Sequence, residues 1–113
     1  MKIVDKKLTI SELMQMAAGT FGDMVKAVVD VDRELVAVDA ELHSDLEALL
    51  LEDGSKQKNI WGINLYPDML GEEFVEFDSL INIRPSQGNR SRGVENEGIR
   101  EKIISIVAKR IDR

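Results

Sequence analysis

Three arginines, Arg84, Arg90 and Arg92, fall within nine residues, and no Asp or Glu occurs from Ser79 to Val94. That stretch carries +3 in a chain whose formal charge is −6, so the remainder sums to −9. Around the arginines stand the hydrogen-bonding side chains of Ser86, Gln87, Asn89 and Ser91, with Gly88 and Gly93. Guanidinium groups present a fork of donors suited to phosphate or carboxylate. Glycines let backbone amides approach an anion closely. The stretch also leads into a predicted helix, whose N-terminus attracts negative charge. Pro85 to Gly93 is therefore a candidate anion or phosphate site, with Arg84, Ser86, Gln87, Asn89, Arg90 and Arg92 as the ligand contacts. An equally weighted alternative is structural: the arginines pair with the acidic remainder, or the loop is a solvated connection or a dimer contact. GNRSRG lacks the lysine and the spacing of a Walker loop, so nucleotide hydrolysis is not indicated.

A second cluster is acidic. From Asp30 to Asp53 there are nine acids and one arginine, with the only histidine, His43, among them. On the second strand of the predicted hairpin, Asp39, Glu41 and His43 should share one face at i, i+2 and i+4, with Asp45 close behind. His43 with Glu41 or Asp45 is then a weak candidate for general acid–base chemistry or for a divalent metal, Mg²⁺ or Mn²⁺ suiting the oxygens better than zinc. The stronger alternative is a solvated strand face, with Asp45 and Glu47 serving a helix start. No metal site is assigned, and no cofactor is indicated.

Composition sets limits on these chemistries. The chain of 113 residues is sized for one domain, 1–113, able to bury its own core. With 43% hydrophobic but only 4% aromatic residues, that core is built from aliphatic side chains. The absence of cysteine excludes disulfides, thiolate metal sites and cysteine nucleophiles. No stretch nears the roughly 20 apolar residues that span a bilayer, and Met1 to Ile10 lacks a signal-peptide pattern. The expected location is the cytoplasm, with no membrane partner. A pI of about 4.8 argues against general nucleic-acid coating.

The elements that position these residues follow from periodicity. Thr9 and Glu12 have capping-box spacing and open a helix with Ile10, Leu13, Met14 and Ala17 on one face, ending near Gly19. Met14, Met16 and Met24 are read as core fillers. From Ala27 to Leu42 a period of two predicts a hairpin turning near Asp32–Glu34, with one buried and one wet face. Ser44 and Glu47 repeat the capping-box spacing and predict a short helix burying Leu46, Leu49 and Leu50. Ile60 to Tyr66 reads as a third strand. Trp61, Ile63 and Leu65 share its core face; Gly62, Asn64 and Tyr66 share the other, which could floor a shallow polar pocket. Phe74 to Arg84 reads as a fourth strand, although Leu80 breaks its alternation. Pro67 and Pro85 end the strands before them. Ile99 to Ile111 is a closing helix. The order α-β-β-α-β-β-α, with hairpin-length connections, predicts an α+β fold: an antiparallel sheet of about four strands with helices mainly on one face.

Whole phrases of the chain carry a resemblance. AVVDVDRELVAVDA, ELHSDLEALLLEDGSKQKNIWGINLYP and SLINIRPSQGNRSRGVE resemble a family of small prokaryotic proteins catalogued only as a domain of unknown function. The resemblance runs from about Ser11 to the end and implies a stand-alone domain, with no activity or site residue to carry over.

Three functions follow from the residues. The leading one is a binding or regulatory domain that takes a phosphate-bearing or acidic ligand on the arginine loop. The second is an enzyme acting on phosphodiesters, which requires His43 and the arginines to converge. The third is a structural homodimer, with Leu80 and Tyr66 as exposed apolar groups and sheet edges to cover.

Overall fold

The computed structural model describes residues 1–113. Its elements are β1 (Lys2–Val4), β2 (Leu8–Thr9), α1 (Ile10–Gly19), β3 (Val25–Asp30), β4 (Leu35–Val38), α2 (His43–Glu52), β5 (Ile60–Leu65), β6 (Val75–Glu76), α3 (Glu97–Arg110) and β7 (Ile111–Asp112). Five strands form an antiparallel sheet in the order β1-β4-β3-β5-β6. β2 and β7 form a separate parallel pair that ties the two ends of the chain together. The α+β class is as expected. The additional sheet strand is β1, three residues too short to declare a period.

Two of the three helices cover one face. Leu13 and Ala17 of α1, with Ile103, Ile106 and Val107 of α3, pack on Val25, Ala27, Val29, Val36, Val38, Trp61, Ile63 and Leu65. The opposite face is not wet, contrary to the hairpin's expected pattern. α2 lays Leu46 and Leu50 on Val28, Leu35, Ala37 and Ile60. The second face of the hairpin carries Val28, Leu35 and Ala37, and all four residues of β4 are buried. Strands covered on both faces read as apolar runs rather than alternation.

The hairpin turns where predicted, and Asp30 explains how it does so without Asn-Gly. Its buried carboxylate accepts from the Asp32 and Arg33 amides, both at 2.9 Å, and from the Ser55 hydroxyl at 2.6 Å. An Asp side chain bonding the backbone two and three residues on replaces the usual turn dipeptide. Part of the acidic cluster is thereby structural.

The capping box at Thr9 forms as predicted, Thr9 Oγ1 accepting from the Glu12 amide at 3.1 Å. The one predicted at Ser44 does not. α2 starts two residues earlier, with Leu42 in place of Ser44 as its N-cap and no capping side chain. The expected fourth strand is also corrected. Only Val75–Glu76 is strand; single 3₁₀ turns follow at Leu80–Asn82 and Pro85–Gln87, and Arg84 and Asn89 form an isolated bridge. The turn at Ser79 crosses directly over Gly62, where a Cβ would stand 2.5 Å from that of Ser79. Asn82 holds it there, accepting from the Gly62 amide at 2.8 Å and donating to the Gly62 carbonyl at 2.9 Å. Side-chain bonding to a central strand has replaced ladder pairing.

Candidate functional site

The arginine loop spends most of its hydrogen-bonding capacity on its own chain. Asn89, 3% exposed, is its hub. Its Nδ2 donates to the carbonyls of Asn82, Ser91 and Gly93, and its Oδ1 accepts from the Glu95 amide. Arg84 turns inward, donating to the Gln57 carbonyl and, at 2.5 Å, to that of Ile60, with its guanidinium 4.1 Å from the Trp61 ring centroid. Gln87 donates to the Lys58 carbonyl at 2.8 Å. The loop's amides do meet an anion, but an internal one. The exposed Glu95 carboxylate accepts from the Arg90 and Ser91 amides at 2.6 and 2.9 Å, which holds its pKa below the ordinary 4.5. Ser86 and the Arg90 side chain remain exposed. Arg92 leaves the loop altogether and pairs with Asp78, Nε to Oδ1, at 2.6 Å.

Arg92 thereby lines a different feature, a polar cleft of about 530 Å³ on the α2 side of the sheet. Its floor is the outward face of β5 with its neighbours, Asn64 and Tyr66 flanked by Lys26 and Glu76. The pocket floor expected from Asn64 and Tyr66 is there. Leu42, His43 and Ser44, the uncapped start of α2, form one wall. Asp78, Ser79 and Leu80 form another.

His43 is 8% exposed, and its Nε2 lies 2.8 Å from the Ile63 carbonyl oxygen. A carbonyl only accepts, so Nε2 carries the proton and the neutral ring's Nδ1 is the acceptor. Burial holds the imidazole pKa below 6.5, with the Ile63 hydrogen bond opposing and Lys26, Asp78 and Arg92 contributing smaller charge effects. Asn64 is 5% exposed. Its Nδ2 donates to Glu76 Oε1 at 2.8 Å and to the Asp78 carbonyl at 3.3 Å, while its Oδ1 is buried without a partner. Tyr66 donates to the same Glu76 oxygen at 3.0 Å. That carboxylate and burial raise the phenol above its ordinary 10.0, burial being the larger cause.

The structure thus brings His43 and Arg92 to one cleft and leaves the other candidates apart. Glu41 and Asp45 are exposed outside it, because the strand ends at Val38 and His43 begins a helix. The shared strand face expected for Asp39, Glu41 and His43 does not form. Nowhere do three or more His, Asp or Glu side chains gather as a metal ion would require. Lys26, Glu76 and Asp78 went unnoticed in the sequence. Lys26 interrupts an apolar run in VKAVVD, a visible signal, but only strand register sets it beside Asn64.

Fold and site together define a small α+β domain that carries a mixed-charge polar cleft where one helix begins over an antiparallel sheet. The chain belongs to the family DUF5674, protein of unknown function, whose model matches residues 2–110. No curated protein and no solved structure matches it. No helix is long and apolar enough to cross a membrane.

Proposed function

We propose that the chain is a binding or regulatory domain that recognises a small polar molecule bearing an anionic group in the cleft at His43, Asn64 and Arg92. The observation that carries this is the floor of the cleft. It holds a buried acceptor without a donor, Asn64 Oδ1, beside a cation without a carboxylate partner, Lys26. An unmade hydrogen bond at a buried polar atom costs about 1–3 kcal/mol, so a ligand that completes it is favoured. The uncapped α2 start and the Lys26 and Arg92 side chains supply positive potential for the anionic group. Of the loop arginines, Arg92 is the contact; Arg84 and Asn89 hold the scaffold.

The test is a thermal-shift screen of small carboxylates and phosphomonoesters that also carry an amine, amide or hydroxyl donor able to reach Asn64 Oδ1. A ligand at about 100 times its Kd stabilises the fold by about 2.7 kcal/mol. Lys26→Gln and Arg92→Ala should each abolish that shift, and Arg90→Ala should leave it. A shift lost with Arg90→Ala and kept with the other two would return the site to the loop.

A second reading, an enzyme acting on phosphodiesters, is favoured by the carbonyl-oriented His43 facing the same cleft as Arg92. Here Nδ1 would be the general base and Arg92 would stabilise charge on the phosphate. It requires turnover of a simple phosphodiester that His43→Gln removes.

A further inference from the structure

Lys26, Asn64 and Glu76 stand side by side on β3, β5 and β6, because the register pairs Lys26 with Asn64 and Asn64 with Glu76. Directly opposed residues project to the same face, here the face on which α2 begins. The row runs cation, amide, anion over two strand spacings, about 10 Å. All three residues line the cleft.

The middle member is the most constrained. Asn64 is 95% buried, being 5% exposed. Both partners of its Nδ2, the Glu76 carboxylate and the Asp78 carbonyl, only accept, so the amide cannot be turned around and Oδ1 is the atom left over. The flanking charges are free to act. Lys26 pairs with no carboxylate and rests 5.3 Å from the Phe21 ring centroid. Glu76 receives both of its hydrogen bonds on Oε1.

A dianion such as a phosphomonoester would gain Lys26 but face the Glu76 carboxylate, which pairs with no cation, while Arg92 is matched by Asp78 at 2.6 Å, in a chain already at −6. A molecule with both charges meets complementary groups along the row. Resting on the cleft as the ligand site, we propose that it binds a small zwitterion, an ammonium and a carboxylate on one molecule, as in a free α-amino acid. The carboxylate lies toward Lys26 and the first turn of α2. The ammonium donates to Asn64 Oδ1 and to Glu76. Because Oδ1 must receive an N–H, a quaternary ammonium does not suffice. Asn64 and its strand neighbour Lys26 both line the cleft, and Oδ1 is buried, so the ammonium reaches that oxygen only as a neighbouring side chain such as Lys26 shifts.

The test is calorimetric titration of the whole chain with the standard amino acids, then with the N-acetyl and carboxamide derivatives of the best binder. The free amino acid should bind, and each blocked form should lose at least about tenfold in affinity, as expected for a lost charge-assisted hydrogen bond. Lys26→Gln and Glu76→Gln should weaken the free form by about the same factor, while Arg90→Ala, outside the cleft, should not. An N-acetyl derivative that binds as well as the parent would overturn the zwitterion and leave an anion site standing. If no amino acid binds but simple carboxylates or phosphomonoesters do, the zwitterion fails and the cleft survives; if none of these compounds binds, both fail.

Discussion

His43 takes its character from one hydrogen bond and its burial. The Ile63 carbonyl fixes the proton on Nε2, and desolvation disfavours the charged ring. Its folded pKa therefore lies below 6.5, the ordinary and unfolded value. The unfolded chain then takes up the proton first as pH falls. The stability linked to His43 is complete above 6.5 and is lost as the pH drops from there through the folded value. Following the imidazole shifts by NMR should give a midpoint below 6.5, and His43→Gln should flatten the corresponding slope of unfolding free energy against pH. A midpoint above 6.5 would mean a carboxylate, not burial, governs the ring.

The arginines separate at the same scale. Arg84 carries two carbonyl contacts and the Trp61 face, whereas Arg90 presents only its backbone amide to Glu95. Arg84→Ala should cost about 2–3 kcal/mol in urea unfolding, from bonds to a charged donor and cation–π packing. Arg90→Ala should stay within about 0.5 kcal/mol, as exposed substitutions do. Equal costs would contradict the division into scaffold and surface arginines. The sequence made these three look alike, because charge along the chain says nothing of which carbonyls a guanidinium will reach.

Two elements are set by what their neighbours require. β5 can be crossed by the Ser79 turn only because position 62 has no side chain. Gly62→Ala places a Cβ 2.6 Å from Ser79 Oγ and 2.5 Å from Ser79 Cβ, an atom fixed to backbone. The expected loss is about 1–3 kcal/mol, the usual cost of overpacking, measured by urea unfolding, with Asn82 freed from its Gly62 bonds. An unchanged midpoint would show that the turn does not rest on the strand. α2 makes the opposite case. Leu42 at its N-cap is 55% exposed and caps nothing with its side chain. Leu42→Ser should stabilise the protein by about 0.5–1 kcal/mol and, by filling the helix start, weaken ligand binding. Gain in stability with undiminished binding would remove α2's first turn from the site.

At this scale local signals were legible where the cause was local. Thr9 with Glu12 announced α1, and the apolar face of α3 was visible as a period. What failed depended on distant residues. The Ser44–Glu47 spacing mimics a capping box, but the helix starts at His43. The run from Phe74 to Arg84 alternates like a strand, yet Asn82 and Ser79 bind across Gly62 instead.

For the molecule as a whole, a sheet covered on both faces leaves few places where polar groups converge. β1 and the β2–β7 pair secure the chain ends, α1 and α3 fill one face, and α2 covers most of the other. The cleft is what α2 leaves uncovered beyond Val28 and Gly62, at the row of Lys26, Asn64 and Glu76. Half of that site was readable: His43 as the lone imidazole, Asn64 and Tyr66 as a polar strand face, Arg92 as a charged group. The alignment of Lys26 and Glu76 on either side of Asn64 was not, because register across three strands is a tertiary property. The most direct measurement is an amide chemical-shift map of the whole chain on saturation with its best-binding small molecule. Perturbations should centre on Lys26, Leu42 to Ser44, Asn64 to Tyr66 and Glu76 to Ser79. Perturbations centred on Ser86 to Ser91, with the cleft silent, would show that the exposed arginine loop is the site and the cleft is not.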